Sequence, residues 1–184
     1  MLVAITGATG VQLAIKLLET LKEKKMKTEL VISKNAEKII VIETKYQLSD
    51  IYKLADRNFD VDDLLAPPAS GSYKLDSMII IPCSMKSLSA IANGYANNLI
   101  TRSADVMIKE KRKLILVVRE SPLSAIHLEN MLKLAKLGVI IFPPVPSYYI
   151  KPKSVEELIE FTVGRILDYI GIESDIKRWG NPLE

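Results

Sequence analysis

One cysteine, one histidine and one tryptophan occur in 184 residues. A lone Cys83 excludes an internal disulfide. With His127 as the only imidazole, a soft-ligand metal site has almost no ligands to draw on. Long apolar runs are missing too. None approaches the roughly 18 residues that a membrane helix requires, although mean hydropathy is slightly positive at +0.17. Charge of one sign is scarce, and a net charge of +3 with three Phe beside the single Trp argues against a nucleic-acid surface. There is no internal repeat, low-complexity stretch or Gly/Ser linker, so one domain over residues 1–184 is expected. Met1 leads straight into an apolar run, which points to a cytoplasmic chain without signal or transit peptide.

What is present is an alternation of short apolar runs and helical patterns. Leu2–Thr6 (LVAIT) reads as a strand buried on both faces and ends in Gly7-Ala8-Thr9-Gly10. Leu13, Leu17, Leu18 and Leu21 then recur at helical spacing. Strand, glycine turn and helix together aim backbone N–H groups at a phosphate or flat ring. The spacing G-x-x-G is not the dinucleotide fingerprint, and an ordinary strand-to-helix turn has the same form.

Residues 27–32 form a second strand ending at Ser33, where NAD-binding folds carry an acidic residue. A serine there favours a phosphate oxygen over a ribose diol, and it equally suits an N-cap for a helix over 35–42. Helical spacing returns at 49–55, and 60–66 reads as a short element before the stiff loop Pro67–Ser72. A third buried strand, 77–82, runs into Cys83-Ser84-Met85-Lys86-Ser87, a hydroxyl-rich loop opening another helix. No base accompanies Cys83, so it reads as a small buried thiol rather than a nucleophile. After a turn at 93–98, the helix 99–111 carries Arg102, Asp105 and Lys109 on one face. Such a row is also what a solvated ion-pair ladder looks like. Strand 113–118 ends at Arg119-Glu120, helix 124–137 contains His127, and strand 138–142 leads to Pro143–Tyr149. A last helix over 154–170 starts from Ser154 with Glu157 three residues on, and Lys177-Arg178-Trp179-Gly180 follows. The pattern implies an α/β fold: a mainly parallel sheet between helices, in three layers.

Several segments together resemble one family, the flavin prenyltransferases of the UbiX/Pad1 type. They are ITGATG (5–10), VISK (31–34), the block from Pro82 to Glu120, HLENMLKLAKLGVIIFPPVPSYY (127–149), VGRILD (163–168) and KRWG (177–180). The resemblance implies a Rossmann-like flavoprotein that binds FMN and assembles as a homododecamer with sites where subunits meet. It implies transfer of a dimethylallyl group from dimethylallyl monophosphate to N5 and C6 of reduced FMN, without metal. The product, prenylated FMN, would serve UbiD-type decarboxylases. Residue by residue, it implies Gly7, Ala8, Thr9, Ser33, Ser84, Met85, Lys86, Ser87 and Arg119 around FMN. Arg102, Lys109, Tyr149, Arg165 and Trp179 would hold the prenyl phosphate or line its mouth, and Glu43, Glu120 and Thr9 would act in catalysis. Two positions depart from the family pattern: Thr9 stands where Ser is usual, and Ile150 where many members have His.

These residue types suit that chemistry. The chain has no D-D-x-x-D motif for a magnesium–diphosphate complex, and Asp62-Asp63 is a thin substitute. Arg102, Lys109 and Arg165, with the Tyr149 hydroxyl, form a set able to neutralise a leaving phosphate without metal. Glu120 can carry a proton to or from the reacting groups. Two other readings share the fold: an FMN carrier without chemistry, and an FMN-dependent decarboxylase of cysteine peptides or pantothenate derivatives. The latter relies on a catalytic His, and His127 falls in the wrong segment for it.

Overall fold

The computed structural model describes residues 1–180 and divides into two compact units, 1–143 and 144–184. The first holds a six-stranded sheet, all parallel: β1 (Leu2–Ile5), β2 (Glu29–Ile32), β3 (Arg57–Phe59), β4 (Ser77–Cys83), β5 (Lys113–Val118) and β6 (Ile140–Ile141). Strand order is β3-β2-β1-β4-β5-β6, so the winding direction reverses between β1 and β4. Crevices at such a reversal, outside the carboxyl ends of the strands, are where α/β sheets bind ligands.

The connecting helices are α1 (Val11–Glu23), α2 (Lys34–Glu43), α3 (Leu48–Tyr52), α4 (Met85–Ala92), α5 (Leu99–Lys109) and α6 (Ala125–Lys136). Every residue of β1 and β4 is buried, as a sheet covered on both faces demands. Leu2, Ala4, Met78, Ile80, Leu114 and Leu116 belong to one core with Leu88, Leu99, Ala104 and Met107 of α4 and α5. The alternate residues Val3, Ile5, Ile79, Ile81, Ile115 and Val117 are equally buried and point to the opposite face. The α/β three-layer fold expected from the sequence is what forms.

Three details differ from the sequence reading. The strand β3 was not legible there: it is a three-residue edge strand with the unremarkable sequence Arg-Asn-Phe, only half-protected. It is held by pairing to β2 and by Arg57, which donates to Glu29 and lies 4.9 Å over the Phe59 ring. The strand expected over 138–142 shrinks to Ile140–Ile141 because only Ile115 and Leu116 face it. Helix α6 buries Leu134 alone, although its sequence is rich in leucine. The Ile81–Pro82 and Ser121–Pro122 bonds are cis.

The second unit contains a 3-10 turn, Tyr148–Ile150, and the helix α7 (Val155–Tyr169). Ser154 caps α7 by accepting from the Glu157 N–H at 3.2 Å, and Glu157 accepts from the Lys153 N–H at 2.8 Å. The following tail is tied down by Arg178, which donates to both oxygens of Asp168 at 2.9 and 2.8 Å. No helix among the described residues is long and apolar enough to cross a membrane.

Candidate active site

At the end of β1 the chain passes so close to α2 that a Cβ on Gly7 would lie 2.8 Å from the Asn35 Cβ. Glycine is required there by space. Gly10 is required by backbone angle, with φ at +97° in the left-handed region. Gly10 has no side chain with which to cap α1. Glu43, the last residue of α2, does so: its Oε2 accepts from Gly10 N–H at 2.9 Å and from Val11 N–H at 3.4 Å. Gln12 returns the favour, donating to the Glu43 carbonyl at 3.2 Å. The helix start that the sequence offers to a ligand is therefore already occupied by a carboxylate.

Three other helix starts are not. Ser33 caps α2 by accepting from Ala36 N–H at 3.2 Å, Ser84 caps α4 by accepting from Ser87 N–H at 3.3 Å, and Asn98 caps α5 in a capping box with Thr101. All three open onto one cavity of about 500 Å³, lined at strand ends by Thr6, Gly7, Ser33, Ser84, Met85, Lys86, Ser87 and Glu120. This is a size typical of small-ligand sites. The first-turn N–H groups of a helix have no intrahelical partner and carry a partial positive charge, so three of them around one space favour an anion. At the rim, Lys34 forms an ion pair with Asp62, which holds its ammonium pKa above the ordinary lysine value, chiefly through that hydrogen bond.

Among the residues singled out in the sequence, Gly7, Ser33, Ser84, Met85, Lys86, Ser87 and Glu120 come together in this cavity. Ala8, Thr9, Arg119, Arg102, Lys109 and Glu43 are not in its lining. Arg102 and Lys109 lie two turns apart on α5, along the Pro67–Ser72 loop. Arg102 Nε donates to the Ala69 carbonyl at 3.0 Å and Nη1 to Asp105 at 2.8 Å. Lys109 pairs with Glu110 at 2.6 Å. Arg112 completes the support, donating to the carbonyls of Tyr73 and Gly71 at 2.7 Å each. In the second unit, the Tyr149 ring meets Trp179 edge-on at 5.2 Å and Phe161 at 5.8 Å, and Arg165 faces Asp168 at 3.8 Å.

Cys83 is fully buried, and desolvation pushes its thiol up to about 12. It is not a thiolate nucleophile at neutral pH. Sequence reasoning missed Thr6, Asn98 and Thr101. Asn98-x-x-Thr101 is a legible capping pattern, which reading 93–98 as a plain turn passed over. Among the described residues no group of three or more His, Cys, Asp or Glu is gathered as a metal site.

A parallel sheet wound 3-2-1-4-5-6, with helix starts and hydroxyls around a cavity at its reversal, defines a nucleotide-binding α/β protein. The family model described as Flavoprotein matches residues 1–167. Mitochondrial flavin prenyltransferase PAD1 of Saccharomyces cerevisiae is 56% identical over 178 residues, 96% of this chain and 74% of its own. A solved structure of a UbiX protein (AnUbiX, PadA1) in complex with FMN and dimethylallyl pyrophosphate superposes with a TM-score of 0.96. It is 50% identical and covers 98% of this chain and 97% of that one. A dodecameric FMN-dependent UbiX-like decarboxylase from Escherichia coli O157:H7 also gives 0.96, at 47% identity and 98% of each chain. The chain belongs to the flavin prenyltransferase family.

Proposed function

We propose that this chain transfers a dimethylallyl group from dimethylallyl monophosphate to reduced FMN, joining it at N5 and C6, without a metal ion. The carrying observation is the cavity where Gly7, Ser33, Ser84, Met85, Lys86, Ser87 and Glu120 converge beneath three helix starts capped by Ser33, Ser84 and Asn98. That donor set fits FMN: peptide N–H groups and serine hydroxyls for its phosphate, and the flat Gly7 turn for close approach of its ring. Ala8, Thr9 and Arg119 flank the same strand ends and complete the flavin contacts in this reading.

When bound, reduced FMN supplies the nucleophilic ring atoms. The protein's part is to hold the donor phosphate, orient the allyl group and move a proton. Arg102 and Lys109, fixed against the Pro67–Ser72 loop, provide positive charge for the departing phosphate, and guanidinium binds two of its oxygens at once. Tyr149 and Arg165 add a hydroxyl and a second guanidinium. Trp179 offers an aromatic face to the positive charge that develops on the allyl group, worth about 0.5–2 kcal/mol. Glu120, in the cavity wall, carries the proton exchanged with the phosphate or the flavin ring, with Thr9 and Glu43 assisting from the glycine turn.

The assembly proposed is a homododecamer, as in the Escherichia coli relative. Helix α6 supports association: Leu128 and Leu132, one turn apart on the same face, are exposed by 51 and 56%, and Ile126 by 68% on another. A cytoplasmic site of action and delivery of the product to a UbiD-type decarboxylase go with this reading. The free Cys83 suits a reducing compartment. The test is anaerobic incubation of protein, reduced FMN and dimethylallyl monophosphate, or the diphosphate in a parallel arm, with mass analysis of the flavin. A flavin heavier by one prenyl unit is expected. Unchanged flavin in both arms would leave an FMN carrier, and decarboxylation of a cysteine peptide by the same preparation would favour the decarboxylase reading.

A further inference from the structure

We propose that Thr6 is a positioning residue that sets the gap between the two halves of the flavin cavity; the inference rests on the FMN reading above. The β1–β4 ladder runs Leu2↔Met78, Val3↔Ile79 and Ala4↔Ile80, and stops. Past it, the pairing of β4 with β5 shifts register between Ile80 and Cys83, and Pro82 has no N–H to offer a rung. Regular strand pairing therefore does not fix where Ser84 lies relative to Gly7.

The Thr6 side chain fixes it instead. Its Oγ1 donates to the Pro82 carbonyl at 2.8 Å and accepts from the Ser84 N–H at 2.8 Å. The Thr6 N–H reaches the same carbonyl at 3.3 Å. One hydroxyl, with one proton and one lone pair committed, reinforces that single long main-chain bond and alone reaches the Ser84 N–H. Thr6 is only 2% exposed, so water cannot substitute for it. Two of its neighbours line the cavity: Gly7, which follows Thr6 in the chain, and Ser84, which accepts at the start of α4 as its cap. The N–H groups of Met85 and Lys86, next after Ser84, stand in the first turn of α4, where no carbonyl of the helix itself can accept from them. A shift of Ser84 moves those donors and the Ser84 and Ser87 hydroxyls together. Thr6 touches no reacting atom in this account; it acts through Ser84.

Thr6→Val keeps shape and burial but strands the Ser84 N–H, while Thr6→Ser keeps the hydroxyl. Thr28→Val is the structural control. Thr28 is also buried, at 1%, and its Oγ1 bonds the Met26 carbonyl at 3.0 Å beside the amino end of β2, away from the cavity. FMN affinity is measured on the full-length chains by flavin fluorescence quenching, and stability by thermal melting. Thr6→Val is expected to weaken FMN binding by about tenfold or more and Thr6→Ser by no more than about threefold. Thr28→Val should lower the melting temperature without moving the FMN Kd. Thr6→Ala, compared with Thr28→Ala, takes over if the valine variant does not fold. FMN bound within about threefold of wild type by a destabilised Thr6→Val overturns this inference alone. So does failure of both Thr6 variants to fold while the Thr28 variants do, because the hydroxyl is then a folding requirement. A wild-type chain that takes up no FMN overturns the function proposed above, and this inference with it.

Discussion

Glu43 is the residue on which the geometry and the family resemblance say different things. A carboxylate on the last residue of α2 opposes that helix's own dipole, a cost of about 0.3–1 kcal/mol. It is offset across space by α1, whose N-terminal Gly10 and Val11 N–H groups it accepts at 2.9 and 3.4 Å. Losing an N-cap acceptor costs about 0.5–2 kcal/mol, and losing a negative charge at a helix start about 0.3–1 kcal/mol more. The two dipole terms are of opposite sign and nearly cancel. Glu43→Ala should therefore destabilise the chain by about 1 kcal/mol, the cap alone, and Glu43→Gln, which keeps an acceptor oxygen, by no more than about 0.5 kcal/mol. For a chain of this length each kcal/mol lowers Tm by roughly 2–4 °C, giving about 2–4 °C for the alanine and at most about 2 °C for the glutamine.

The assay is thermal melting of the three proteins at one fixed protein concentration, because association shifts apparent stability, alongside FMN titration. Loss of the cap frees the Gly7–Gly10 turn, so FMN affinity should fall in the order wild type, Gln, Ala, in step with Tm. A residue acting only in chemistry gives the opposite pattern: wild-type melting and FMN binding in both variants, with prenyl transfer lost in both. That result would refute the capping argument.

Glu120→Gln should leave FMN binding intact and cut prenyl transfer by about 10² or more, measured as the rate of flavin mass gain; full turnover would exclude proton carriage by this carboxylate. Lys109→Ala should raise KM for the prenyl phosphate by about tenfold with little change in FMN Kd. The wild-type KM should climb with salt more steeply than FMN Kd does, since exposed side chains are screened and buried peptide dipoles are not. The Asp168 carboxyl is held below its usual 3.8, first by the hydrogen bond from Arg178 and further by Ser174. A depressed carboxyl stabilises the tail fully above the unfolded value and loses that contribution as pH falls through the folded one. Trp179 emission in the wild type should thus change below about pH 3.8, and Asp168→Asn should show the released emission already at pH 7; identical emission from both proteins at pH 7 would count against the clamp.

The sequence carried the fold wherever burial is two-sided. β4 and β5 read as strands because nearly every residue in them is buried, which leaves an unbroken apolar run. Ser33 and Ser84 could be placed at the cavity because a hydroxyl directly after such a run is both a cap and a crevice residue. The edge strand β3 gave no such run: Arg57 and Asn58 face solvent, and their place is set by partners in β2. Glu43 and Thr6 fail to declare themselves for a different reason. Their hydrogen-bond partners lie 33, and 76 and 78, residues away, so no local spacing records the contact. Helix α6 misleads in the other direction, since its leucines at helical spacing look like a core stripe and yet mostly face outward.

The division of positive charge explains why this cavity suits a transferase better than a carrier. Three helix starts, each equivalent to about half a positive charge, together come close to balancing a phosphate carrying about −1.5 to −2. Those charges belong to the folded backbone, so the flavin phosphate needs no arginine, and Lys34 at the rim is already spent on Asp62. Arg102 and Lys109 lie outside that cavity's lining, each paired with a carboxylate, Asp105 and Glu110. They are not loose surface charges, for Arg102 is bonded to the Ala69 carbonyl and the Gly71 turn packs against Lys109. Both sit on α5, the helix whose start, at Asn98 and Thr101, lines the flavin cavity. A rise of about 1.5 Å per residue puts Arg102 within a turn of that start and Lys109 about 10 Å beyond it. Under the proposed function one helix would offer its N-terminus to the flavin phosphate, and Arg102 and Lys109 would exchange Asp105 and Glu110 for the donor phosphate. In the proposed function the helix would then set the spacing of the two phosphates, as a protein that brings two phosphate-bearing molecules together requires.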